Sequence, residues 1–254
     1  MTDLFSLEGK AALVTGGGSG LGQAIAVGLA SAGASVAVSG RDTGKLFETV
    51  SLITKAGGKA ASVPMDILDT DSVNDAVSRT VEEYGHIDIL VNSAGVHLKK
   101  DTLEVTDEEW SRVIETNLTG SFRVCRAVGT QMKVQGRGKI INIASLGSFV
   151  ALKDAAAYTS SKAGLILLTK NLAVELAPFN IQVNAIAPGV FRTALNAKVL
   201  VGERLERILS NTPMKRLGTP DELAGTAVYL SSKASDFVTG AVIPVDGGFL
   251  AWGI

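Results

Sequence analysis

A chain of 254 residues, 46% of them hydrophobic, can bury one large core in a single domain, and no linker or low-complexity tract divides it. Its 24 basic and 25 acidic residues are interspersed and nearly cancel, so no basic stripe points to nucleic acid or to an anionic membrane surface. The single cysteine, Cys125, forbids an intramolecular disulfide, and two histidines, His86 and His97, leave no Cys/His cluster for a metal.

The opening Met1-Thr2-Asp3-Leu4-Phe5-Ser6-Leu7-Glu8 lacks the regions of a secretory signal, and no apolar run reaches membrane-spanning length, which predicts a cytoplasmic protein. The first apolar run, Ala11 to Thr15, breaks into Gly16-Gly17-Gly18-Ser19-Gly20-Leu21-Gly22 and resumes as the helical Gln23 to Ala30. Such a strand, turn and helix bring bare backbone N–H groups and a helix N-terminus together, which is a place for a pyrophosphate. A lone glycine loop is weak evidence, and the strict G-x-G-x-x-G spacing is absent. Its position directly after the first strand strengthens it.

The alternation then repeats. Ser35 to Ser39 predicts a second strand and Asp42 to Lys55 a helix; Lys59 to Val63, ended by Pro64, predicts a third strand, followed by a helix from about Asp69 to Tyr84. Ile87 to Val91 is the fourth and leads into Asn92-Ser93-Ala94-Gly95. A long helix from about Asp107 to Val134 carries Trp110, Ile114, Leu118, Phe122 and Cys125 at mostly helical steps. Lys139 to Ser145 is the fifth strand, and a helix opening at Asp154 follows it. Ile181 to Ile186 is the sixth, ending at Pro188-Gly189; after a helix near Pro220 to Ser231, Ala241 to Val245 makes the seventh.

Strands apolar on both faces and alternating with helices specify a doubly wound α/β fold of the Rossmann kind, a seven-stranded parallel sheet flanked by helices on both faces. In such folds ligands sit beyond the carboxyl ends of the strands, where the winding reverses. The glycine turn, Gly40-Arg41, Asp66, Asn92 to Gly95, Ser145 and Pro188-Gly189 all fall at those ends, a convergence that turn chemistry alone explains poorly. The helix after the fifth strand adds chemistry. Residues four apart on a helix are neighbours, so Lys162 can sit beside Tyr158, stabilise its phenolate and draw its pKa down from about 10. An isolated Tyr-x-x-x-Lys is more often an ordinary helix surface; this one lies among the other signals.

Those pieces together, Thr15-Gly16-Gly17-Gly18-Ser19-Gly20-Leu21-Gly22, Asn92-Ser93-Ala94-Gly95, Asn117, Ser145, Tyr158 to Lys162 and Pro188-Gly189-Val190-Phe191-Arg192-Thr193, resemble the short-chain dehydrogenase/reductase family over essentially the whole length. Ser93 departs from the pattern, where many members carry a second asparagine. The resemblance implies an NAD(P)-dependent carbonyl reductase or alcohol dehydrogenase acting on a small molecule and assembled as a homotetramer. It implies Tyr158 as general acid in reduction and base in oxidation, Ser145 as hydrogen-bond donor to the substrate oxygen, and Lys162 as partner of both Tyr158 and the nicotinamide ribose. Asn117 would be a fourth catalytic residue, in contact with a water or the lysine. Gly16, Gly18, Ser19, Gly20, Leu21, Gly22, Asn92, Ala94, Gly95, Pro188, Gly189, Val190 and Thr193 would contact the cofactor. Asp66 and Ile67 resemble the adenine-contacting pair, with a helix N-cap the competing role for Asp66.

By the family's pattern the second strand ends at Gly40, and Arg41 follows, offering a fork of donors to a 2′-phosphate. That favours NADP(H), with NAD(H) possible, because Asp42 can engage Arg41 and Ser19 stands where many NADP-preferring members carry a second basic residue. The segment from about 190 to 217 is expected to cover the substrate, where Arg192, Lys198 and Arg204 can meet a carboxylate or remain solvated. His97, Leu98 and Phe149 are expected to line the pocket. The two ends, Leu4 to Lys10 and Val245 to Leu250, resemble family members that act on gluconate and deoxygluconate, and members reducing 3-oxoacyl thioesters share nearly as much. A dinucleotide-binding sensor or scaffold is the rival reading; it has no need for Ser145, Tyr158 and Lys162 together.

Overall fold

A computed structural model describes residues 2–192 and 201–252. Its centre is β1 (Ala11–Thr15), every residue of which is buried, paired in parallel with β4 (Ile89–Asn92) on one side and β2 (Ser35–Gly40) on the other. Outward lie β3 (Lys59–Pro64) beyond β2, and β5 (Gly138–Ile143), β6 (Ile181–Pro188) and β7 (Val242–Val245) beyond β4. The order β3-β2-β1-β4-β5-β6-β7 is all parallel. Pro64 and Pro244 fall on the two edge strands, where no ladder bond is lost on the outer side, and Pro188 stands at the last position of β6.

Side chains alternate across a strand, so each strand feeds two cores. Ala12 and Val14 pack on the face covered by α1 (Gly20–Ser31), α2 (Thr43–Lys55) and a later helix over Pro220–Ser231; Leu13 packs on the opposite face. That opposite face is covered by α3 (Thr70–Tyr84), α5 (Ser121–Gln135) and α6 (Ala156–Leu176), with Val77, Val128 and Leu176 in its core. Cys125 of α5 is buried there, and burial pushes its thiol up to about 12, which leaves it inert.

Three expectations change. The long helix is two, α4 (Asp107–Ile114) and α5, joined by a π-helical turn over Glu115–Gly120 that contains Asn117. The helix of Tyr158 opens at Ala156, because Asp154 holds φ at +63°, a left-handed backbone that cannot continue into a helix, and its carbonyl accepts from Lys100 N–H at 2.8 Å. Asp66 does not cap α3: Asp69 does, while Asp66 Oδ1 accepts from Leu68 N–H. Past β6 come α7 (Gly202–Ser210) and α8 (Pro220–Ser231); Thr193, Asn196 and Lys198 lie outside the described residues. No helix among the described residues is long and apolar enough to cross a membrane.

Candidate active site

The winding reverses between β1 and β4, and there the chain leaves both strands toward the same side. Thr15 Oγ1 ties the two exits together, accepting from the N–H groups of Ser93 and Ala94 at 3.2 Å each. Gly16 holds φ at +65°, and a Cβ there would come within 2.8 Å of the Ala94 backbone, so only glycine lets the two loops close. From the far side Thr49 of α2 donates to the Gly17 carbonyl at 3.1 Å.

Above this junction opens a cleft of about 880 Å³. Gly16, Ser19, Gly20, Leu21 and Gly22 line it from the turn, Ala94 and Gly95 from the exit of β4, and Pro188, Gly189 and Val190 from the end of β6. A second pocket of about 370 Å³ lies beyond the turn and shares Gly16, Ser19, Ala94 and Gly95 with the cleft; Gly18, Arg41, Asp66 and Ile67 line it. Of the expected dinucleotide contacts, Asn92 is the correction. Period-two alternation sets it on the same side as Leu90, beneath α5, where it is 2% exposed and its amide donates to Asn142 Oδ1 at 3.0 Å and Cys125 Sγ at 3.1 Å. It braces β4 against β5 and α5 and faces neither pocket.

Tyr158, Ser145 and Lys162 meet on the cleft floor. Ser145 follows β5: its hydroxyl accepts from Gly147 N–H at 3.1 Å, capping a short 3₁₀ turn, and stands close enough to Tyr158 to pull its pKa down. Burial pushes the Tyr158 phenol above its ordinary pKa, and Ser145 only partly offsets this. The expected lowering by Lys162 is absent. Its ammonium lies 5.9 Å from the Tyr158 ring centroid and donates to the Ile143 carbonyl at 2.7 Å, and its own burial brings it down to about 8. Helical spacing puts the two residues side by side, but it says nothing of the dehydration that dominates both.

Asn117 is fully buried, and its side chain does not reach the lysine. Instead it pairs with both backbone groups of Val96, accepting from N–H at 2.8 Å and donating to the carbonyl at 2.9 Å, and donates to Ser161 Oγ at 3.0 Å. It therefore clamps the β4 exit loop to α6. A Cβ on Gly95 would lie 3.1 Å from its oxygen and 3.6 Å from Lys162 Nζ, so the floor stays bare between them.

A family model described as enoyl-(acyl carrier protein) reductase matches residues 16–250. The chain belongs to the short-chain dehydrogenase/reductase family. It is 42% identical to the 2-dehydro-3-deoxy-D-gluconate 5-dehydrogenase of Formosa agariphila, over 98% of this chain and 96% of that protein. It is 40% identical to the 3-oxoacyl-[acyl-carrier-protein] reductase FabG of Aquifex aeolicus, over 95% and 98%. A gluconate 5-dehydrogenase from Burkholderia cenocepacia, solved in complex with NADP and tartrate, superposes with a TM-score of 0.95 at 37% identity, covering 99% of each chain.

This short-chain dehydrogenase/reductase is thus an NAD(P)-dependent oxidoreductase acting between alcohol and ketone. Its residues fit the dinucleotide: the glycine turn presents bare backbone, and Ser39, 0% exposed, lines the smaller pocket with a hydroxyl that has no partner. No group of three metal-ligating side chains gathers among the described residues. Pocket residues expected from sequence divide. His97 lines the cleft, its ring 4.5 Å from that of Tyr158; Leu98 and Phe149 do not line it, and Phe149 is half exposed. Arg204 lines the cleft and Arg192 does not. Sequence reasoning missed Lys99, Lys153, Asp154 and Phe249, which reach the same cleft from three separate segments, and gave Arg207 no role beyond its place in the covering segment. No local pattern marks them; only the sheet brings them together.

Proposed function

We propose that this enzyme interconverts the hydroxyl and keto forms of a sugar acid, with NADP(H) favoured over NAD(H), as a cytoplasmic homotetramer. The charge of the cleft carries the substrate reading. Lys99, Lys153, Arg204 and Arg207 line it beyond Lys162, against the single carboxylate of Asp154, in a chain whose net charge is −1. Arg204 and Lys99 lie close enough to His97 to join its burial in lowering its pKa, so positive charge stands beside the ring that meets Tyr158 at a tilt. A substrate carboxylate would be held there while its secondary alcohol or ketone lies at Tyr158 and Ser145. The dehydrogenase acting on dehydro-deoxygluconate and the neighbour solved with NADP and tartrate support that class.

The nicotinamide, when bound, supplies or takes up the hydride. Tyr158 handles the proton: burial keeps the phenol protonated at neutral pH, ready to give its proton to the substrate oxygen in reduction, and the phenolate takes it back in oxidation. Ser145, on the same floor, donates to that oxygen and orients it. Lys162 uses one of its three donors on Ile143 and keeps two for ribose hydroxyls and for the phenolate as it forms. Asn117 acts as a positioning residue through Val96 and Ser161. Assembly is supported by apolar side chains left exposed on packed helices, among them Trp110 on α4, Phe122 on α5, and Leu167 and Val174 on α6.

Apolar lining by Leu152, Ile208 and Phe249, with the relative from Aquifex aeolicus, favours the second reading, reduction of a 3-oxoacyl thioester. Keto sugar acids, uncharged diketones and 3-oxoacyl thioesters assayed with NADPH and NADH in parallel decide between the two. Keto sugar acids should give the highest kcat/KM, with NADPH; a thioester ahead of them replaces the sugar-acid reading. Sedimentation velocity on the same samples should give the tetramer mass.

A further inference from the structure

We infer that Lys45 is a second cation for the 2′-phosphate of NADP(H), held in reserve by Asp42, so that the Asp42–Lys45 pair sets how strongly the smaller pocket separates NADP from NAD. The inference rests on the NADP reading above.

Four groups of opposite charge line that pocket: Arg41 and Lys45, Asp42 and Asp66. An NAD ribose needs a free carboxylate to accept from its two hydroxyls. Here Asp42 has both oxygens engaged and Asp66 has one. Asp66 Oδ1 accepts from Leu68 N–H at 3.0 Å. Asp42 caps α2, its Oδ1 accepting from Lys45 N–H at 3.2 Å, and its Oδ2 lies 3.2 Å from Lys45 Nζ. Asp42 therefore pairs with Lys45, where sequence alone left it a partner for Arg41, and Arg41 makes no ion pair among the described residues. The stem of Lys45 is pressed to the glycine turn, since a Cβ on Gly18 would stand 3.1 Å from Lys45 Cβ. Lys45 is thereby placed between the turn that takes the pyrophosphate and the end of β2. On the same wall the buried, unpartnered hydroxyl of Ser39 offers one more donor.

The side chains of Lys45 and Asp42 are 53% and 57% exposed, so their mutual bond is weak and screened. A phosphate dianion is a stronger partner, and Lys45 can turn to it without leaving its helix position. Asp42 then works against the phosphate, as a carboxylate near an anion.

Calorimetric titration of the full-length protein with 2′,5′-ADP and 5′-AMP reads the subsite without turnover. The wild type should prefer 2′,5′-ADP. Lys45→Met should cut that preference by about tenfold while leaving 5′-AMP affinity in place, which also shows that the variant is folded. Lys45→Arg should restore the preference, and Asp42→Asn, which keeps the helix cap, should increase it. An unchanged preference in Lys45→Met, alongside its collapse in Arg41→Ala, overturns the role of Lys45 and leaves the NADP reading intact. No preference in the wild type overturns the NADP reading itself, and the inference with it.

Discussion

At the scale of single residues, the site depends on one phenol whose environment works against its ionisation. Tyr158 is desolvated, and the nearest help in the free protein comes from Ser145. Reduction suits this state, because the acid proposed for it is already protonated. Tyr158→Phe keeps the ring and removes the proton donor, so kcat for reduction should fall by about 10²–10⁴-fold while cofactor affinity, measured by nucleotide fluorescence, survives. A variant that kept most of the rate would remove Tyr158 from the acid–base step. The pH dependence follows from its neighbour. Lys162 loses its charge as pH rises through about 8, well before the raised phenol gives up its proton. Reductive kcat/KM should therefore be level at neutrality and decline above about pH 8; a profile level through the alkaline range would show that the lysine charge is not needed.

At the scale of elements, the π-helical turn between α4 and α5 is the departure from regularity that matters most. π turns are rare and gather at functional sites, and this one carries Asn117 into contact with the β4 exit loop. Ser121 returns a hydrogen bond to the Asn117 carbonyl at 2.9 Å, and Arg123 reaches back to Glu115 at 3.1 Å, so the turn is braced at both ends. Asn117→Ala would take their side-chain partner from the half-buried amide and carbonyl of Val96. The expected cost is about 1–3 kcal/mol, from two hydrogen bonds at about 0.5–1.5 each, because water can reach the half-buried groups. Urea unfolding measures it, and kcat should fall further than cofactor affinity, since the loop floors the substrate end. A loss of stability with kcat unchanged would reduce Asn117 to a purely structural role.

At the scale of the whole molecule, the end of the sheet opposite the cleft is gathered by one carboxylate. Asp88 is nearly fully buried and holds Arg137 at 2.9 Å, Lys10 at 3.4 Å, His86 at 2.9 Å and the N–H of Ala11 at 3.1 Å. Burial alone would raise its pKa; the Arg137 and Ala11 hydrogen bonds and the charges of Lys10 and His86 outweigh this and hold it below the usual carboxylate range. With the folded value below the unfolded one, Asp88 stabilises fully above about pH 4, and the stabilisation is lost as pH falls through the folded value. Asp88→Asn should cost about 2–3 kcal/mol at pH 7, less than a fully buried pair because Lys10 and Arg137 are partly exposed. The difference from wild type should shrink in acid while kcat at pH 7 stays unchanged, as denaturation midpoints and rates can check. A gap that persists below the folded pKa would place the loss outside the charge.

The sequence by itself determined what local chemistry encodes. Apolar runs alternating with 3.6-residue periodicity specified the seven strands, their helices and the layers, because each signal is complete within a dozen residues. Gly16 was readable because a tight turn after a strand demands glycine, and Ser145, Tyr158 and Lys162 because their order and spacing carry the family's chemistry. Tertiary structure decided whatever depends on which side faces inward or on what arrives from far along the chain. Strand alternation turned Asn92 into the core, and a left-handed Asp154 delayed the helix of Tyr158 by two residues. Burial reversed the expected direction of the Tyr158 pKa, and four cations from three segments, Lys99, Lys153, and Arg204 with Arg207, met only once the sheet had closed. Dehydration and long-range convergence of charge are properties of packed volume, and a linear pattern does not record volume.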